Sequence, residues 1–237
     1  MDGLGSCYHA LRNYHKAFEF YDQAIEGAPE NTDFLLHRAN CYYDQAQDGK
    51  EKSYQLSISD VQKALEYAPS DPQLLYKLGI FYFADEQFKP AIKTLKKAIA
   101  CQPMASHEPE IYYRIGLCYC LIEKFQKAIY PFTKAIGLIP SETKYYHERA
   151  KASQMIEDHQ SAVDDFDIVI QKNPKNAHAY FRRAFSHKSL KNYSQSVEDF
   201  EKAKELDPSN PRMIVNYKQL KGVNCLILCK PGEEKEF

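Results

Sequence analysis

Pro109-Glu110-Ile111-Tyr112-Tyr113-Arg114-Ile115-Gly116-Leu117-Cys118-Tyr119, followed by Ala128, Phe132, Ala135 and Pro140, decides how the rest of the chain is read. Its apolar and aromatic residues recur at three- and four-residue spacing, the pattern of an amphipathic helix. A polar break near Glu123 and Lys124 divides it into two such helices, and Pro140 ends the second. The stretch is a helix pair joined by a short turn.

The pair recurs along the chain. Closing prolines stand at Pro29, Pro69, Pro103, Pro140, Pro174 and Pro208, with separations of 40, 34, 37, 34 and 34 residues. A base period of 34, interrupted by insertions of six and three residues, means stacked supersecondary units. A small residue lies 24 positions before the proline in Gly5, Gly79, Gly116, Ala150 and Ala184, and the second unit supplies Ala39. Side chains must be small where two helices approach closely. An aromatic follows three residues later in Tyr8, Tyr42, Tyr82 and Tyr119, whereas Ser153 and His187 stand there in the last two units.

These residues resemble the tetratricopeptide repeat, whose signature sets an aromatic, Leu-Gly, Tyr, Ala, Phe and Pro at fixed offsets. Tyr112, Ile115-Gly116, Tyr119, Ala128, Phe132 and Pro140 follow it, as do Leu75, Leu78-Gly79, Tyr82, Ala91, Leu95 and Pro103. The last unit keeps Tyr180, Ala184, Phe200 and Pro208, with Arg183 in place of leucine, and no unit has the family's tryptophan. The resemblance implies an all-α fold, a right-handed superhelical solenoid of antiparallel helix pairs. The expected division is a truncated first repeat over 1–31, a repeat with an inter-helix insertion over 32–71, repeats over 72–108, 109–142, 143–176 and 177–210, a closing helix over 211–222 and a tail over 223–237.

Met1 falls where the first helix should carry its aromatic, so the chain is expected to be a fragment or short product of a longer array. The insertion near Ala46-Gln47-Asp48-Gly49-Lys50-Glu51-Lys52 has the composition of a solvated loop. Asp71-Pro72 reads as a cap followed by a helix-starting proline, and Pro90 falls harmlessly at the start of a second helix. Pro131 lies several residues into a helix, removes the bond to the Lys127 carbonyl and is expected to kink or loosen it. Asp164, Asp165, Asp167, Glu198 and Asp199 read as a solvated convex face.

Lysine and arginine number 31 against 32 aspartates and glutamates, a net charge of −1, so nothing draws nucleic acid or an anionic membrane over long range. No apolar run reaches the roughly 20 residues of a membrane span. Seven scattered cysteines without a C-x-x-C pair disfavour a disulfide framework and a structural zinc site; they read as buried or half-buried thiols of a reducing cytoplasm. The sequence has no Gly-rich phosphate loop, nucleophile elbow or H-E-x-x-H, so no enzyme, cofactor or metal is expected.

At 100° per residue, Tyr113 and Leu117 fall opposite the packing set of their helix; Tyr76, Ile80 and Phe83 repeat this in the preceding unit, and Phe181 and Phe185 in the last. Packing within a repeat does not account for them, and the resemblance implies that first helices line a concave groove. His147 and Lys151 interrupt the stripe and, with Arg114 and Arg182, make it positive. These eleven residues are the expected peptide-binding groove, suited to an acidic or phosphorylated protein or peptide with apolar anchors. Alternatively, they pack against neighbouring first helices as core.

The family's known capture of a chaperone C-terminal carboxylate needs Lys and Asn, then Asn, then Lys and Arg on three successive first helices. Here Leu36 and Asn40, Lys77, and Glu110 and Arg114 take those places, so a chaperone tail is disfavoured. The expectation is a non-catalytic protein-interaction scaffold or adaptor, with a structural subunit that stacks end to end as the alternative. Its setting is expected to be cytoplasmic, a cilium-associated role being one that proteins of similar architecture serve.

Overall fold

A helix leaves its first amides without partners, and here the residue two places after a closing proline supplies one. Asn31 Oδ1 accepts from Asp33 N–H at 3.0 Å, Asp71 Oδ1 from Gln73 N–H at 2.7 Å, Glu142 Oε1 from Lys144 N–H at 3.4 Å and Asn176 Oδ1 from Ala179 N–H at 3.1 Å. These caps set where first helices start. The computed structural model describes residues 1–49, 53–101 and 107–209, and the described residues form twelve α-helices and no strand. The expected closing helix and tail, and residues 50–52 of the insertion, lie outside them.

The chain divides into two compact units, Met1–Glu123 and Lys124–Phe237. The first holds α1 (Asp2–Ala10), α2 (Tyr14–Gly27), α3 (Thr32–Gln47), α4 (Ser53–Tyr67), α5 (Pro72–Ala84), α6 (Phe88–Cys101) and α7 (Glu108–Leu121). The second holds α8 (Phe125–Leu138), α9 (Thr143–Met155), α10 (His159–Lys172), α11 (Ala177–Ser189) and α12 (Tyr193–Leu206). Within each unit, α1 packs on α2, α3 on α4, α5 on α6, α9 on α10 and α11 on α12. The second helix of a pair also packs on the first helix that follows. The architecture is an all-α helical repeat.

Close approach inside the pairs explains the small residues. A Cβ added at Gly79 would fall on Leu95 Cδ2 and 2.6 Å from its Cγ, and one at Gly5 would lie 2.7 Å from the Tyr21 ring. Ala39, Ala150 and Ala184 are fully buried at the corresponding places. The turns between paired helices put Arg12, Glu86, Glu157 and Lys191 at φ of 56°, 57°, 62° and 63°. A side chain in this left-handed region costs roughly 1 kcal/mol relative to glycine.

A charged register runs through the packing. Arg149 on α9 donates from Nε and Nη2 to both carboxylate oxygens of Asp165 on α10, at 2.8 and 2.7 Å, and from Nη1 to Thr133 Oγ1 on α8 at 3.0 Å. Thirty-four residues on, Arg183 repeats this with Asp199 on α12 and Asp167 on α10. In the N-terminal unit, Arg38 joins Asp60 on α4 and Asp22 on α2. Each arginine ties a first helix to the second helices before and after it. Asp165 and Asp199 are only 3% and 5% exposed, so the expectation of a solvated acidic face is corrected for both. Asp167, though exposed, also bonds to an arginine.

Other expectations change too. The insertion is partly helical, because α3 runs to Gln47 and Ala46 is buried; Ser53 Oγ donates to Gln45 Oε1 at 2.8 Å and fastens the start of α4. Helix α8 continues through Pro131, whose ring is buried. Cys41 and Cys118 are buried, with burial pushing both thiols up to about 12, and Cys120 is half-buried, whereas Cys7 and Cys101 are exposed.

Candidate peptide-binding face

All eleven side chains expected to line the groove are half-buried, neither sealed nor fully open. They belong to four first helices, two in each unit.

In the N-terminal unit, α5 and α7 pack together and present Tyr76, Ile80 and Phe83 from one, and Tyr113, Arg114 and Leu117 from the other. The Arg114 guanidinium lies over the Phe83 ring, 5.4 Å from its centroid, and its Nε is 3.0 Å from Glu110 Oε1. Tyr76 stands beside the His107 ring at 5.1 Å; burial pushes its hydroxyl up, with Arg114 pulling the other way. Tyr76, Phe83 and Arg114 therefore form one group. Internal packing claims part of these side chains: Phe83 meets Phe88 of α6 edge-on at 6.0 Å, and Ile80 borders the core of α3, α4 and α5.

In the C-terminal unit the corresponding helices are α9 and α11. His147 lies 5.6 Å from the His178 ring, and Glu148 accepts from Lys151 Nζ at 2.7 Å with its other oxygen 3.3 Å from His147 Nδ1. Desolvation pushes the His178 imidazole down, and Arg182, His147 and Lys151 push it further, with Glu148 opposing. Burial likewise opposes ionisation of Glu148, but hydrogen bonds from His147 and Lys151 hold its carboxyl below the usual range. Gln154 Nε2 donates to the Arg182 carbonyl and Ser186 Oγ, both at 2.8 Å, and joins the two helices. The Arg182 Nε is buried and has no hydrogen-bond partner among the described residues.

Phe181 and Phe185 correct the claim that packing within a repeat leaves the stripe unexplained. They meet edge-on at 5.0 Å, and both stand edge-on against buried Phe200 of α12, at 5.5 and 5.3 Å. One part of each ring is core and the rest is surface. Sequence reasoning also missed His178 and Glu148. His178 lies 31 residues after His147, three short of the repeat period, and Glu148 is adjacent to His147 in sequence. Among the described residues, no three His, Cys, Asp or Glu side chains are grouped to hold a metal ion, and no helix is long and apolar enough to cross a membrane.

Residues 177–210 and residues 2–31 each match the tetratricopeptide repeat. The chain matches no curated protein sequence. Among solved structures, it is similar to the C-terminal part of a TPR repeat-containing protein from Cytophaga hutchinsonii, with a TM-score of 0.78 and 17% identity over 97% of this chain and 90% of that one. It is similar to YrrB, described as a TPR protein with an unusual peptide-binding site, with a TM-score of 0.71 and 20% identity over 84% and 97%. PilF of Pseudomonas aeruginosa gives 0.67 and 18% over 94% and 95%. These likenesses carry the fold, an all-α helical repeat, and the two matching segments identify tetratricopeptide repeats at residues 2–31 and 177–210 of the chain.

Proposed function

We propose that the chain is a non-catalytic protein-binding scaffold whose first helices take a peptide segment that is acidic or phosphorylated and carries apolar anchors. One observation carries this reading. Around α9 and α11, Lys151, Arg182, His147 and His178 come together, with the Glu148 carboxylate opposing them at His178. An anionic group set among these bases would gain charge-assisted hydrogen bonds. Phe181 and Phe185 offer ring surface on the same helix for an apolar side chain, and aromatics beside arginine are the usual energetic centres of such contacts. The peptide-binding site ascribed to YrrB supports the class of function.

The test is to pan a degenerate phosphoserine peptide library against the full chain and against its Lys151→Ala/Arg182→Ala variant. The reading expects enriched phosphopeptides that the variant releases and that dephosphorylation weakens. Equal capture by both proteins would overturn it. A mass that rises with protein concentration, without peptide capture, would favour the structural-subunit alternative.

A further inference from the structure

A groove in the N-terminal unit, away from the side chains of the first-helix face, has a charge pattern of its own. Helix α6, Phe-Lys-Pro-Ala-Ile-Lys-Thr-Leu-Lys-Lys-Ala-Ile-Ala-Cys, contains four lysines and no acidic residue, in a chain whose net charge is −1. Three of them, Lys89, Lys93 and Lys97, are spaced four apart, one helical turn of about 6 Å each, and so follow one side of the helix. That side borders a groove of about 510 Å³ walled by α4 and α6 and floored by α5. Leu65, Pro69, Tyr82 and Pro90 are among its lining residues, and the Tyr82 hydroxyl accepts from Gln62 Nε2 at 2.8 Å.

None of the residues lining the groove is acidic, and Glu66, next to Leu65, is not among them. Lys89, Lys93 and Lys97 are exposed and make no hydrogen bond or ion pair among the described residues. Lys96, off the groove, instead donates to Tyr119 Oη at 2.9 Å. Three ammonium groups without a partner among the described residues, beside a groove that also offers Leu65, Pro69 and Tyr82, suit a ligand with the complementary arrangement. We propose that this groove docks an acidic amphipathic helix of a partner protein, its carboxylates one turn apart along the lysines and its apolar edge over Leu65, Pro69 and Tyr82. Helix-in-groove recognition seats the apolar face of an amphipathic helix in such a groove, and the lysines add charge complementarity along its flank.

The test uses the full chain and a fluorescein-labelled amphipathic peptide of about four turns, with glutamates at every fourth position and leucines on the adjoining edge. Fluorescence anisotropy should show binding that weakens as salt is raised. Lys89→Glu/Lys93→Glu/Lys97→Glu should lose at least about tenfold in affinity, while Lys96→Glu should not. The loss on Lys89→Glu/Lys93→Glu/Lys97→Glu should persist in a chain that also carries Lys151→Ala/Arg182→Ala, which removes the other basic face and keeps failure here distinct from failure of the phosphopeptide reading. Because the three lysines are exposed, the triple variant should keep the wild-type circular dichroism and melting temperature. Equal affinity for wild type and triple variant, or no binding to either, would overturn the proposal. So would co-sedimentation with phosphatidylserine vesicles that the triple variant loses while the peptide fails to bind, since the patch would then face lipid.

Discussion

At the scale of single residues, Arg149 shows how the array sets its register. It holds a carboxylate that is almost wholly buried, and burial pushes the Asp165 carboxyl up while the arginine pulls it back. Removing the arginine leaves that charge without its partner, so Arg149→Ala is expected to cost about 3 kcal/mol in urea unfolding. Replacing both residues by leucine should recover most of the loss, because buried Leu78 and Ile115 occupy the arginine's place in two of the three repeats that lack it. Gly79→Ala should cost about 1–3 kcal/mol, since the added methyl meets fully buried Leu95.

The arginine register could be read in the sequence. Arg149 and Arg183 each have a partner sixteen residues before and sixteen after, and Arg38 keeps the first spacing and lengthens the second by the six-residue insertion. Pairs sixteen apart leave no mark in a helical periodicity of three and four, so their aspartates read as surface charge in the sequence.

At the scale of the helix pair, the turns carry a measurable cost. Glu157 and Lys191 hold left-handed φ values within exposed segments. Glu157→Gly should therefore raise the unfolding free energy by about 0.5–1 kcal/mol, read as a higher denaturant midpoint with an unchanged slope. The periodic prolines and small residues made the pairs legible, because each marks a backbone requirement that few residue types meet. The face was legible only in part. A projection at 100° per residue identified which side chains share a side of a helix, but not that Phe200 takes one edge of Phe181 and Phe185, nor that Glu148 offsets Lys151.

At the scale of the whole molecule, stability in a repeat array is close to a sum of local and nearest-neighbour terms. Arg149→Ala should accordingly speed amide hydrogen exchange in α8, α9 and α10 while leaving α1 to α4 unchanged. Acid should act locally too. Burial pushes the imidazoles of His178 and His187 down, so the folded chain binds fewer protons than the unfolded one below about pH 6.5. Their contribution is complete above that pH and is lost as pH falls through the lowered values. The melting temperature should drop between pH 7 and 5, and His178→Gln/His187→Gln should flatten that drop.

The central claim is that the basic and aromatic sides of α9 and α11 receive an anionic peptide. Hydrogen exchange of the full chain with and without a phosphopeptide enriched from the library tests it most directly. The account predicts slowed exchange concentrated in α9 and α11, and none in Lys151→Ala/Arg182→Ala. Protection absent from both helices, or unchanged in the variant, would contradict it.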